Sequence, residues 1–117
     1  DTANLVSVAN ALAAVATRRI DYLHLPVPAD RDDAAYFAPL AKLEHDSCGE
    51  LYLGLLHSAN GVDGALRRMQ VARQYRQHFG IACECGLGRY PSDAVGGLLT
   101  LHRDVAHAAL ATSGALS

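Results

Sequence analysis

The segment Leu51-Tyr52-Leu53-Gly54-Leu55-Leu56 is the strongest constraint in the sequence. An apolar run this short, without alternation, reads as a strand covered on both faces. Strands of that kind belong to parallel sheets. Two further short apolar runs, Ile20 to Leu25 and Ile81 to Cys85, read as strands as well, the first stopped by Pro26 and Pro28.

The segments between them carry helical spacing. Leu5, Val8, Ala9, Leu12, Val15 and Ala16 predict an amphipathic helix from about Ala3 to Arg18, capped by Asp1 or Thr2. Asp32 or Asp33 is placed to cap a short helix through Tyr36, Phe37, Leu40 and Leu43, which Pro39 starts or kinks. His45 to Gly49 reads as a turn. Val62, Leu66, Met69, Ala72 and Phe79 mark a long helix ending at Gly80 in a left-handed cap. Ser92 is placed to cap a last helix along Val95, Leu98, Leu99, His102, Val105, Ala106, Ala109 and Leu110, ended by Gly114.

The resulting order is α-β-α-β-α-β-α, an α/β chain with three parallel strands joined by right-handed crossovers. With no repeat, low-complexity tract or linker, residues 1–117 form one domain or one contiguous fragment of one. The βα repeat length matches the units of a closed eight-unit barrel, of which this chain carries three. The chain opens on Asp1 with no leader pattern after it, as a processed protein or a piece of a longer one does.

Half of the residues are apolar, which excludes disorder, and no apolar run approaches the length of a membrane span. A net charge of −2, with one lysine and nine scattered arginines, argues against nucleic acid or an anionic membrane as a partner. Three cysteines, Cys48, Cys83 and Cys85, make an odd set, not a disulfide framework, so a reducing cytoplasm is the expected compartment.

Ligands of parallel α/β folds gather at the C-terminal ends of the strands. There this sequence places His24, His57, Cys83, Glu84 and Cys85, followed by Gly86 and Arg89. Imidazole and thiolate are preferred zinc ligands, so one rim holding both fits a zinc or thiol-transfer site. Plainer roles compete. His24, between two leucines, reads first as a packed, hydrogen-bonded histidine. Cys83 and Cys85 share one strand face with Glu84 on the other, and a lone C-x-C is weak evidence for a metal. Arg89 reads as a solvated loop arginine able to clamp an anion. Gly86 suits a tight turn beneath a ligand. Cys48 falls at the opposite rim, and His45, His78, His102 and His107 read as surface groups. A thiol redox or metal-buffering module on Cys83 and Cys85 is disfavoured by the absence of C-x-x-C spacing.

The stretches IDYLHLPVP, LYLGLLHSANGVDGALRRM and FGIACECGLGRYP, in this order, resemble the C-terminal barrel of cobalamin-independent methionine synthase and its shorter relatives. That family belongs to a barrel superfamily that includes uroporphyrinogen decarboxylase. The resemblance runs from about Arg19 to Ala108 and implies the last three βα units of a (β/α) barrel, preceded by the helix of the previous unit. It implies zinc-dependent methyl or alkyl transfer to a small thiol, with a folate as methyl donor. Cys85 matches a zinc ligand of the family and His57 its proton-transferring histidine. The family's His-x-Cys ligand pair lies on an earlier strand that this chain lacks, and a further acidic ligand falls near Pro26, where there is no carboxylate. The zinc site therefore needs donors from outside the chain, and the implied partner is the rest of a barrel or another copy of this chain. The alternative is a non-catalytic partial-barrel module that self-assembles.

Overall fold

The computed structural model describes residues 1–114. The order is α1 (Ala3–Val15), β1 (Tyr22–Pro26), α2 (Ala34–Phe37), 3₁₀ turns at Ala38–Lys42 and His45–Ser47, β2 (Glu50–Leu56), α3 (Gly61–Ala72), β3 (Gly80–Cys83), a 3₁₀ turn at Leu87–Arg89, and α4 (Ser92–Gly114). The three strands form one parallel sheet in the order β1-β2-β3. The α/β alternation expected from the periodicity is the observed architecture.

Register follows from the pleat. Leu23 and Leu25 of β1 stand beside Leu51 and Leu53 of β2, and Leu53 stands beside Ile81 of β3. That face is covered by helices and merges with Val6, Ala9, Phe37, Leu40, Ala65, Met69, Ala72 and Val105 into one core. The other face carries Tyr22, His24 and Pro26 beside Glu50, Tyr52 and Gly54. Here the strand run departs from expectation, for β2 is not covered on both sides. Glu50 is exposed, Tyr52 is half-buried and Tyr22 is 65% exposed. The tyrosine rings meet edge to face at 6.1 Å, and the Tyr52 ring lies over Gly80, where any side chain would clash with it.

Asp33 caps α2 as expected: its carboxylate accepts from the Tyr36 backbone N–H. Pro39 sits in the first turn of the following 3₁₀ segment, where its missing N–H costs nothing. Thr2 occupies the position before α1 without capping it. Its hydroxyl instead donates to the Tyr36 carbonyl at 2.9 Å, tying α1 to α2. α1 stops at Val15, short of Arg18, because Ala16 turns to extended backbone.

Four boundaries are corrected. β1 extends through Pro26, a residue an edge strand tolerates. α3 ends at Ala72, not Gly80; Gln74 and Tyr75 N–H groups bond three residues back and tighten the chain out of the helix, while Phe79 packs on the core from the connector. Gly80 opens β3 instead of forming a left-handed cap; among the described residues the glycines with positive φ are Gly61 (56°) and Gly86 (95°). Ser92 is the first residue of α4 and not its cap, and the stop expected at Gly114 falls at the limit of the described residues.

Candidate functional site

β1 and β2 run side by side, so the segments leaving them are neighbours at the C-terminal edge of the sheet. Pairing of β2 with β3 is irregular between Leu53 and Leu56, so that Leu56 rather than Leu55 stands beside Cys83. A strand irregularity of this kind twists the chain and re-aims the next side chain. Leu55 and Leu56 are both fully buried, and His57 follows directly, 8% exposed.

The His57 ring crosses to the segment leaving β1. Its Nε2 lies 2.6 Å from the Val27 carbonyl oxygen. A carbonyl only accepts, so Nε2 carries the proton and Nδ1 of the neutral ring keeps its lone pair. Nδ1 lies 3.9 Å from Glu84 Oε2, beyond hydrogen-bond length. Among the described residues Nδ1 has no hydrogen-bond partner. The other Glu84 oxygen accepts from the Tyr90 hydroxyl. That bond raises the Tyr90 phenol above its ordinary value, because ionisation would set two anions together.

Magnitudes separate the two His57 contacts. Glu84 is 52% exposed, so its attraction to the ring ranks with surface ion pairs, worth at most about 1 kcal/mol. The contact to Val27 is buried, and leaving a buried donor unpaired costs about 1–3 kcal/mol. The carbonyl thus sets the ring's orientation, and the exposed carboxylate adds little to it.

Arg68 reinforces this edge from below. It is 1% exposed, the largest fully buried side chain. Its Nε and Nη2 donate to the Leu55 carbonyl at 2.9 and 2.6 Å, Nη2 also to Asn60 Oδ1 at 2.9 Å, and Nη1 to the Ala29 carbonyl at 3.1 Å. Asn60 Nδ2 donates to the same Ala29 oxygen at 3.0 Å. Burial lowers the pKa of this guanidinium from its ordinary value, with the neighbouring Arg67 charge acting in the same direction.

The sequence-derived site residues separate into two groups. His57 and Glu84 come together as described. Cys85 is exposed and lies in the turn beyond β3, which ends at Cys83, while Cys83 packs partly against the core. Cys83 and Cys85 therefore do not share a strand face: the strand ends two residues before the expected run does. Gly86 takes the left-handed conformation of a tight turn, and the Arg89 side chain folds back over it, leaving no room for a Cβ. Arg89 itself is exposed. Cys48 stands at the opposite end of β2, beside Ser47. His78 and His107 are exposed; His102 is half-buried on α4, where burial lowers its pKa.

His24 lies on the uncovered face, its ring over Gly54. The hydrogen bond expected of it is missing at Nε2, which is buried without a partner among the described residues. Gly54 offers no side chain to receive it.

Asn60, Tyr90 and Arg68 were not singled out by motif. Only Arg68 left a signal. It falls between Ala65 and Ala72 on the inward face of the α3 pattern, where an arginine must find buried acceptors.

Among the described residues no group of three or more His, Cys, Asp or Glu side chains converges on one point. His57 Nε2 is committed to a carbonyl, and Cys83 is turned to the core. Structural and catalytic zinc sites take three or four protein ligands, a number that no one point among the described residues gathers. No helix among the described residues is long and apolar enough to cross a membrane. No family model, curated protein or solved structure matches the chain.

Proposed function

We propose that this chain supplies the proton-handling part of a barrel-type site for methyl or alkyl transfer to a small thiol, as in the methionine synthase-like barrels it resembles. The observation that carries the reading is the uncommitted Nδ1 of His57, held by Val27 and facing Glu84 at the C-terminal edge of parallel strands. A thiol becomes a nucleophile only when its proton leaves. His57 Nδ1 is placed to accept that proton or to return one to a departing group, and Glu84 stabilises the charged ring meanwhile. Cys85, exposed beside Glu84, is the sulfur the chain offers to a zinc whose remaining ligands come from elsewhere. A folate as methyl donor belongs to the same reading. Three unpaired thiols suit a reducing cytoplasm.

The partner is the rest of such a barrel or another copy of this chain. β1 and β3 each keep an unpaired edge, and one sheet face is uncovered. The chain exposes 7183 Å². A compact monomer of its mass exposes about 6,100 Å². The uncharged α1 also leaves Val8, Leu12 and Val15 more than half or half exposed, at 57%, 50% and 76%.

The test of function is the ring spectrum of His57 in the purified chain when a small thiol and zinc are added together. A perturbation of His57 Nδ1 that is lost in Cys85→Ser supports the reading. A thiol that binds at Cys85 without moving the His57 ring overturns it. Sedimentation of the same sample tests the partner: an assembly heavier than the 12.4 kDa chain is expected, and a sharp monomer contradicts it.

A further inference from the structure

We infer that Arg68 is the positioning residue for His57, acting through backbone on both sides of the Val27–His57 contact. The inference rests on the reading of His57 as proton carrier, but its geometry stands apart from any substrate. Leu55, whose carbonyl takes two of the guanidinium bonds, lies two residues before His57. Ala29, whose carbonyl takes a third, lies two residues beyond Val27. Asn60, which takes the fourth, lies three residues beyond His57, and the next residue, Gly61, donates its N–H to the His57 carbonyl at 3.1 Å. One rigid, planar group therefore spans the exit of β1, the exit of β2 and the start of α3.

The chemistry suits arginine and no other side chain. The guanidinium fork reaches acceptors in three directions at fixed angles, and it stays charged despite burial. Among the described residues no carboxylate lies within ion-pair distance of Arg68; Asp32, whose charge acts on it from farther off, pairs instead with Arg67 at 3.5 Å. A buried cation satisfied by backbone carbonyls is an expensive way to gain stability, since apolar residues of similar volume fill such space at lower cost. What it does provide is a fixed separation between two exit segments that no strand pairing joins, for the pairing of β1 with β2 ends at Pro26 and Gly54. Val27 and His57 lie beyond that last pair, and Arg68 is the clamp that holds their contact.

Asn60 belongs to the same clamp. It stands at the N-terminal boundary of α3 yet makes no capping bond, its amide being turned to Arg68 and Ala29. A side chain that gives up a helix cap for a buried network is satisfying the network first.

The experiment reads the exchange rate of the His57 ring N–H against that of the Leu53 backbone N–H in the core, in Arg68→Met, Arg68→Lys and Asn60→Ala. A general loss of stability accelerates both protons equally, whereas loss of positioning accelerates the ring proton alone. The inference expects about tenfold faster ring exchange relative to Leu53 in Arg68→Met and Asn60→Ala, with Arg68→Lys between them and the native chain. Equal acceleration of the two protons, or an unmoved ring proton, overturns it. Should Arg68→Met not fold, Asn60→Ala gives the same comparison from a half-buried loop position. This readout needs no substrate, so its failure is distinct from a failure of thiol to reach His57.

Discussion

His57 Nε2 is 2.6 Å from the Val27 carbonyl oxygen, so the strand-exit segments of β1 and β2 are joined by an imidazole and not by backbone pairing. That contact lies beyond the last β1–β2 pair. It fixes which nitrogen holds the proton, and it turns the other toward Glu84.

Cysteine reactivity separates the three thiols. Cys85 is exposed, whereas Cys48 and Cys83 are half-buried and pack on the core. A soluble thiol reagent should modify Cys85 first, and Cys85→Ser should remove the fast phase while Cys83→Ser keeps it. Zinc added to this chain alone should bind weakly, because no three donors converge among the described residues. Tight, stoichiometric zinc with a single copy of the chain would contradict the site geometry.

Tyr90 should ionise later than an ordinary tyrosine. Its hydroxyl bond to Glu84 is the main cause of the raised pKa, ahead of desolvation. In Glu84→Gln the acceptor is neutral, so one tyrosine should titrate nearer its ordinary value of 10.0 in an ultraviolet pH titration. A titration curve unchanged by Glu84→Gln would show that the contact does not form in solution.

Acid should weaken the chain partly through Asp33. The hydrogen bond from Arg31 holds this carboxyl down to about 2 from 3.8, helped by the Tyr36 backbone N–H. A depressed folded pKa gives stability that is present above the unfolded value and is lost as pH falls from there through the folded value. Asn keeps the cap but does not titrate. The stability difference between the native chain and Asp33→Asn should therefore be largest at about pH 5 and shrink by about pH 2. A difference independent of pH would remove Asp33 from the account.

Core truncation should follow burial. Leu53, on the central strand and 0% exposed, touches helices through the covered face. Leu53→Ala should cost about 3 kcal/mol in denaturant unfolding. Val15→Ala, at a position 76% exposed, should stay within about 0.5 kcal/mol. Equal costs at the two positions would mean that the core is not where the sheet places it.

The alternation of helices and strands was legible because period and punctuation agreed: unbroken apolar runs for strands, spaced apolar residues for helices, Asp33 and Pro39 at a helix start. The boundaries were less legible where apolar residues continue past an element. Phe79 keeps the helical spacing of α3 but packs from a connector, and Cys85 continues the apolar run of β3 but sits in a turn. His57 was legible as a strand-end histidine. Its partner was not, since Val27 contributes a backbone carbonyl, and a carbonyl has no signature in a sequence. Nor was the open sheet face, which depends on what a chain packs against rather than on its own pattern.

The most direct measurement is the proton–nitrogen spectrum of the His57 ring as a function of pH. The account predicts a protected N–H on Nε2 and a bare Nδ1 in the neutral ring. A neutral ring protonated on Nδ1, or a ring N–H exchanging as freely as that of exposed His107, would contradict it.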